Sequence, residues 1–191
     1  MIFFTSDTHF GHENAIEFCK RPWKDRVEMD QGLIDRWNSR VSPVDTIYHL
    51  GDFSFYARLE RVLPILERLN GNIKLVPGNH DYDPWHKWSI DDVAAMGHWE
   101  ILPKLHEFKF KNELYVLCHY PLESWNHANR RVNSFMLHGH LHGSGLNKRL
   151  KGRWDVGVDA NDWYPISIDE ARERCLQAVN EQNQPLPEPE H

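Results

Sequence analysis

The sequence predicts an α/β protein in which two β-sheets pack face to face with helices outside. Three observations predict it. The first half of the chain alternates short apolar strands with amphipathic helices, and the second half is mostly strands with one terminal helix. Five polar motifs each follow directly on a strand, where a rigid scaffold presents its chemistry.

Ile2 to Thr5 is too brief and too continuously apolar for a helix and reads as a buried strand. Met29, Leu33, Trp37 and Val41 recur every fourth position and mark an amphipathic helix. Thr46 to Leu50 is the next strand. Leu59, Val62, Leu63, Leu66 and Leu69 outline a second helix ended by Asn70-Gly71, with Pro64 inside it predicting a kink or a restart. Ile73 to Val76 is a third strand, feeding Pro77-Gly78. Leu105 to Phe110 and Leu114 to Cys118 flank Lys111-Asn112-Glu113 and read as an antiparallel hairpin. Phe135 to His138 and Trp154 to Val158 are two further strands. Ser167-Ile168-Asp169-Glu170 is a capping box opening a last helix, with Ala171, Cys175 and Val179 on its apolar side.

At 191 residues, 40% apolar and with eight Trp, the chain can bury the core of one domain, which we take to span 1–182. Residues 183–191, rich in proline and glutamate, are expected to be a disordered tail. A net charge of −6 with 22 scattered basic residues argues against a duplex nucleic-acid partner, which requires a basic face. Three widely spaced cysteines without CxxC read as reduced thiols of a cytoplasmic protein. Cys118 beside His119 makes a poor nucleophile pair, because adjacent strand residues point to opposite faces. Met1-Ile2-Phe3-Phe4 lacks a basic region and reaches polar Asp7 at once, so it reads as neither signal peptide nor membrane span, and no obligate protein partner is evident.

The five motifs are Asp7-Thr8-His9, Gly51-Asp52, Gly78-Asn79-His80-Asp81, Cys118-His119 and Gly139-His140-Leu141-His142. Together they hold carboxylates, an amide and imidazoles beside tight turns, the donor set of a two-metal site, and such sites serve phosphoester hydrolysis foremost. Residues i and i+2 of extended chain face the same way, so Asp7 and His9, and again His140 and His142, are expected to converge. Imidazole and carboxylate donors suit Mn foremost, or Fe or Zn, better than Ca. Two divalent ions less two carboxylates leave about two positive charges for a hydroxide and a phosphate.

In order and spacing the series resembles the calcineurin-like metallophosphoesterase superfamily, over residues 7 to 142. The resemblance implies a four-layer αββα sandwich of two mixed β-sheets flanked by helices. It implies two divalent metal ions, one held by Asp7, His9, Asp52 and His142, the other by Asp52, Asn79, His119 and His140, with Asp52 bridging. It further implies in-line attack by a bridging hydroxide and a general acid, His80, with Asp81 orienting it.

For a small phosphorylated substrate, possibly a nucleotide, Arg130 and Arg131 are candidate phosphate grips in a loop over the metals, and Arg21 is a weaker one. A solvated basic turn is the plainer reading. His12 is a candidate pocket residue. Trp85, Trp88 and Trp125 are candidates to stack a base, although aromatic residues more often only pack. His49 and His138 read as structural. A general acid can expel poor leaving groups, so phosphodiester is preferred over monoester. The segment Gly51-Asp52-Phe53-Ser54-Phe55 departs from the protein phosphatase pattern. A non-catalytic scaffold would be expected to lose ligands, and a single-metal oxygenase needs fewer of them.

Overall fold

The computed structural model describes residues 1–128, 133–144 and 152–182, the side chains of 178–182 excepted. Arg130, Arg131, Val179 and the 183–191 tail lie outside the described residues and side chains. In chain order the elements are β1 (Ile2–Thr5), α1 (Asn14–Phe18), α2 (Arg26–Arg40), β2 (Thr46–His49), α3 (Leu59–Leu66), β3 (Asn72–Leu75), α4 (Ile90–Ala95), β4 (Trp99–Ile101), β5 (Leu105–Phe110), β6 (Glu113–Cys118), β7 (Ser134–His138), β8 (Arg153–Asp155), β9 (Ile166–Ser167) and α5 (Ile168–Gln182).

They form two mixed sheets flanked by helices, the α/β architecture expected. One has the order β4-β3-β2-β1-β9, parallel except for β9; the other runs β5-β6-β7-β8, parallel except for β5. Alternation along the first sheet divides the core. Phe3, Ile47, Ile73 and Leu75 face Met29, Leu33 and Trp37 of α2 and Val62 and Ile65 of α3. Phe4 and Tyr48 face the second sheet, with Tyr115, Leu117, Phe135 and Leu137. Tyr48 stacks on Phe108 of that sheet at 4.9 Å and 9°. Helix α5 adds Ala171 and Cys175 to this inner core and touches both sheets. No helix among the described residues is long and apolar enough to cross a membrane.

Local chemistry sets the boundaries. Asp25 caps α2 by accepting the Glu28 N–H at 2.9 Å. At the start of α5, Ser167 Oγ accepts the Glu170 N–H and Glu170 accepts the Ser167 N–H, a reciprocal box. Helix α3 stops at Leu66 rather than at Leu69, where the apolar repeat ends. Pro64 removes one ladder bond, and Arg68 and Leu69 bond back by only three residues, tightening the chain into a turn. The hairpin loop is two residues rather than three: Glu113 joins β6, and Lys111 and Asn112 both take the left-handed conformation of a type I′ turn. Strand β8 ends at Asp155, earlier than expected. Elements α1, α4, β4 and β9 carry too few residues to show a periodicity.

Candidate metal centre

The five motifs leave the C-terminal ends of β1, β2, β3, β6 and β7, strands parallel within each sheet, so the topology brings their loops to one edge of the sandwich. Convergence is close. His9 Nε2 lies 3.8 Å from Asp7 Oδ1, 3.8 Å from Asp52 Oδ2 and 3.3 Å from His142 Nε2. His119 Nε2 lies 2.9 Å from Asn79 Oδ1 and 3.4 Å from Asp52 Oδ2. Three compact donor groups result among the described residues: Asp7–His9–His142 and Asp7–Asp52–His119, which have Asp7 in common while Asp52, expected to bridge, belongs to the second alone, and Cys19–His142–Asp159. His140 stands at their exposed rim, its ring 5.1 Å from that of His119, and its backbone N–H donates to Asp7 Oδ2 at 3.0 Å.

The manner of convergence differs from the extended chain expected of Asp7-x-His9 and His140-x-His142. Asp7, His9, Asp52, His140 and His142 all have positive φ, between 49° and 71°. Each such residue costs on the order of 1–2 kcal/mol, so the loops are sharply coiled rather than extended. Glycine permits this crowding by close approach. A Cβ on Gly78 would sit 2.3 Å from Asp52 Oδ1, and one on Gly139 would sit 2.4 Å from Asp7 Oδ2.

The donor set fits metal ions. His119 Nδ1 donates to the Leu50 carbonyl at 2.7 Å, and His142 Nδ1 donates to Asp159 at 2.7 Å. Each neutral ring therefore turns an Nε2 lone pair toward carboxylate, amide or imidazole acceptors, and only a proton or a cation can occupy the space between them. Without metal, protons fill that place. Burial opposes a charge on His119, but the Asp52 and Asp7 carboxylates outweigh it and lift its pKa to about 9. Burial likewise opposes and Asp159 restores the charge on His142, whose pKa rises to about 11. Burial pushes Asp7 up to about 6 and drives His9 well below its usual range.

Because the folded pKa of His119 exceeds the unfolded value, its proton stabilises the metal-free protein below about 6.5, an advantage lost as pH rises through about 9. A bound cation must displace that proton. Manganese affinity of chelator-stripped protein, titrated at pH 7, 8 and 9, is therefore expected to rise with pH, by about tenfold per unit for each proton displaced. A flat profile would contradict a proton at the ligand position.

Several supporting residues were not read from the sequence. Asp83, not Asp81, meets the expected acid: His80 Nδ1 lies 2.7 Å from Asp83 Oδ2. Asp81 is buried and accepts the backbone N–H groups of Asp52, Phe53 and Gly78 at 2.7 to 2.9 Å, tying two motif loops together. Arg21, considered as a phosphate grip, is buried and spends its donors on Asp159 and on the carbonyls of Asp7 and Thr8. Cys19 Sγ lies 3.5 Å from His142 Nδ1. A motif scan could not find Asp159 or Asp83, since neither sits in a ligand motif.

The remaining candidates separate by exposure and bonding. His49 is buried, with Nδ1 accepting from Gly51 N–H and Nε2 bonded to Thr8 Oγ1, and burial lowers its pKa to about 3. His138 is likewise buried, its Nδ1 bonded to the Gly139 carbonyl. Trp88 is buried and donates to the Tyr56 carbonyl, and Trp125 donates to Ser134 Oγ over β7. Trp85 is 42% exposed. His12 lies partly buried beside His9, its ring flat on Phe55 at 4.0 Å.

Comparison with known proteins gives a consistent result. The sequence model of the calcineurin-like phosphoesterase superfamily domain matches residues 1–156. An uncharacterized protein of Methanocaldococcus jannaschii is 29% identical over 175 residues, covering 88% of this chain and 87% of its own. The Gene 66 protein of Mycobacterium phage D29 is 27% identical over 194 residues, covering 90% of this chain and 94% of its own. A crystal structure of a protein of unknown function from Aquifex aeolicus superposes with a TM-score of 0.67 at 28% identity, over 91% of this chain and 98% of that one.

Proposed function

The chain belongs to the calcineurin-like phosphoesterase superfamily, and from that premise we propose that it hydrolyses phosphodiesters of small substrates, nucleotides among them, using two divalent cations, manganese foremost. Asp7, His9, Asp52 and His142 would hold one cation, and Asp52, Asn79, His119 and His140 the other. When bound, the pair supplies positive charge for the phosphate oxygens and makes water nucleophilic near neutral pH.

One observation carries the reading. The His119 tautomer is set by Leu50, so its Nε2 lone pair faces Asn79 Oδ1 and Asp52 Oδ2 in a buried site, an arrangement suited to a cation or a proton between them. The remaining groups do the proton work. His80 is part-exposed beside this cluster; its backbone N–H donates to Asp52 Oδ1 at 2.8 Å and its Nδ1 to Asp83. That leaves Nε2 for substrate. As a water oxygen bonds to phosphorus and the ester P–O bond breaks, His80 gives its proton to the departing oxygen and the water's proton passes to solvent.

Chelator-stripped protein given Mn²⁺ should hydrolyse bis-p-nitrophenyl phosphate faster than p-nitrophenyl phosphate. Faster monoester turnover would replace the diester assignment with a phosphomonoesterase, and no manganese-dependent turnover of either would remove the hydrolase reading. His80→Asn should slow a dinucleotide, whose alkoxide leaves poorly, by about a hundredfold. It should slow the p-nitrophenyl diester far less, because p-nitrophenolate departs without a proton. Equal slowing of both substrates would count against His80 as the acid.

A further inference from the structure

A column of rings runs from the core to the metal centre. Buried Trp88 stacks on His86 at 5.0 Å and 20°, and His86 backs Trp85 at 4.2 Å. Trp85 stands 5.6 Å from Phe55, and the Phe55 ring lies 4.7 Å from His80 and 5.0 Å from the ligand His9. His12 closes the other side of Phe55. Phe55 is thus fixed between the expected acid and a metal ligand, with Trp85 beside it 42% exposed, an unusual exposure for an indole otherwise anchored on two sides.

We propose that Trp85 and Phe55 form a stacking platform for a flat ring in the leaving arm of the ester, which narrows the substrate to phosphodiesters whose departing group is a nucleoside. The inference rests on the hydrolase reading above. Whatever is bonded to the departing oxygen must extend past His80, and the surface next to His80 is this aromatic one. Its rigidity matters: Trp85 is braced by His86, itself stacked on buried Trp88, so stacking a base orders little that is not ordered already. The platform makes no use of base-edge donors, so it accepts every base for its π-face and discriminates against a sugar or alkyl arm.

Binding, rather than turnover, tests it. Manganese-loaded protein is titrated calorimetrically with inorganic phosphate, ribose 5-phosphate and adenosine 5′-monophosphate. The nucleotide should bind about tenfold more tightly than the sugar phosphate. Trp85→Ala should erase that advantage, and Trp85→Phe should keep most of it, since the exposed ring is what the base meets. Phosphate that binds while adenosine monophosphate gains nothing over ribose 5-phosphate would overturn the platform and leave the hydrolase reading standing. So would an advantage that survives in Trp85→Ala. Failure of all three ligands to bind the loaded protein would defeat the hydrolase reading, and the platform with it.

Discussion

Asp52→Asn is expected to lower kcat/KM by at least about a thousandfold, a loss of about 4 kcal/mol in transition-state stabilisation, and to reduce bound manganese from two ions per chain to one. Asp52 reaches a donor of each half of the site, and it is the carboxylate proposed to be shared. Its Oδ2 lies 3.4 Å from His119 and 3.8 Å from His9, while Oδ1 accepts the His80 N–H at 2.8 Å. Burial works to raise its pKa, but the hydrogen bond and charge of His119 win and hold it ionised. Asn keeps the volume and an oxygen for His80, and after glycine it is among the residues that best tolerate the left-handed conformation Asp52 adopts at φ 58°. The substitution therefore removes charge with little disturbance of the loop. Metal analysis and steady-state kinetics on the same preparation check it; two ions retained with near-normal turnover would show that Asp52 is not shared.

Most of the strands and the five motifs could be read from the sequence because both are local: a short apolar run, a glycine, and a polar donor two or three residues on. The same locality explains the error about Asp7 and His9. Their convergence was inferred from extended-chain alternation, whereas left-handed backbone at both residues accomplishes it, a property of the loop's tertiary setting. Asp81 was expected beside His80 because it is next to it in sequence. A 3-10 turn at His80–Tyr82 instead directs Asp81 inward to three backbone N–H groups and leaves Asp83, a full turn on, to meet the imidazole. Arg21 looked like a free cation because its partner is 138 positions away. Long-range polar pairs of this kind leave no periodic trace.

That pair carries the second large effect. Arg21→Met is expected to destabilise the metal-free protein by about 3–5 kcal/mol, which corresponds to a fall in Tm of about 10 °C for a chain of this size. The guanidinium is fully buried and all five of its N–H groups are used: Nε and Nη2 on Asp159, Nη2 also on the Asp7 carbonyl, and Nη1 on the Thr8 carbonyl and Met29 Sδ. Removing it strands the buried Asp159 carboxylate with His142 as its remaining cationic partner and frees the loop that carries Asp7 and His9. Manganese affinity should fall by about 10- to 100-fold, because Asp159 orients the ligand His142. Lys at 21 should not rescue it, since a point charge cannot bond Asp159 bidentately and two carbonyls besides. The double variant Arg21→Met/Asp159→Leu should be less damaging than the sum of its parts, as deleting both charges removes the stranded one. If Arg21 instead gripped the substrate phosphate, Arg21→Met would raise KM and leave the stability within about 1 kcal/mol of the parent; thermal unfolding of the metal-free variants decides between the two.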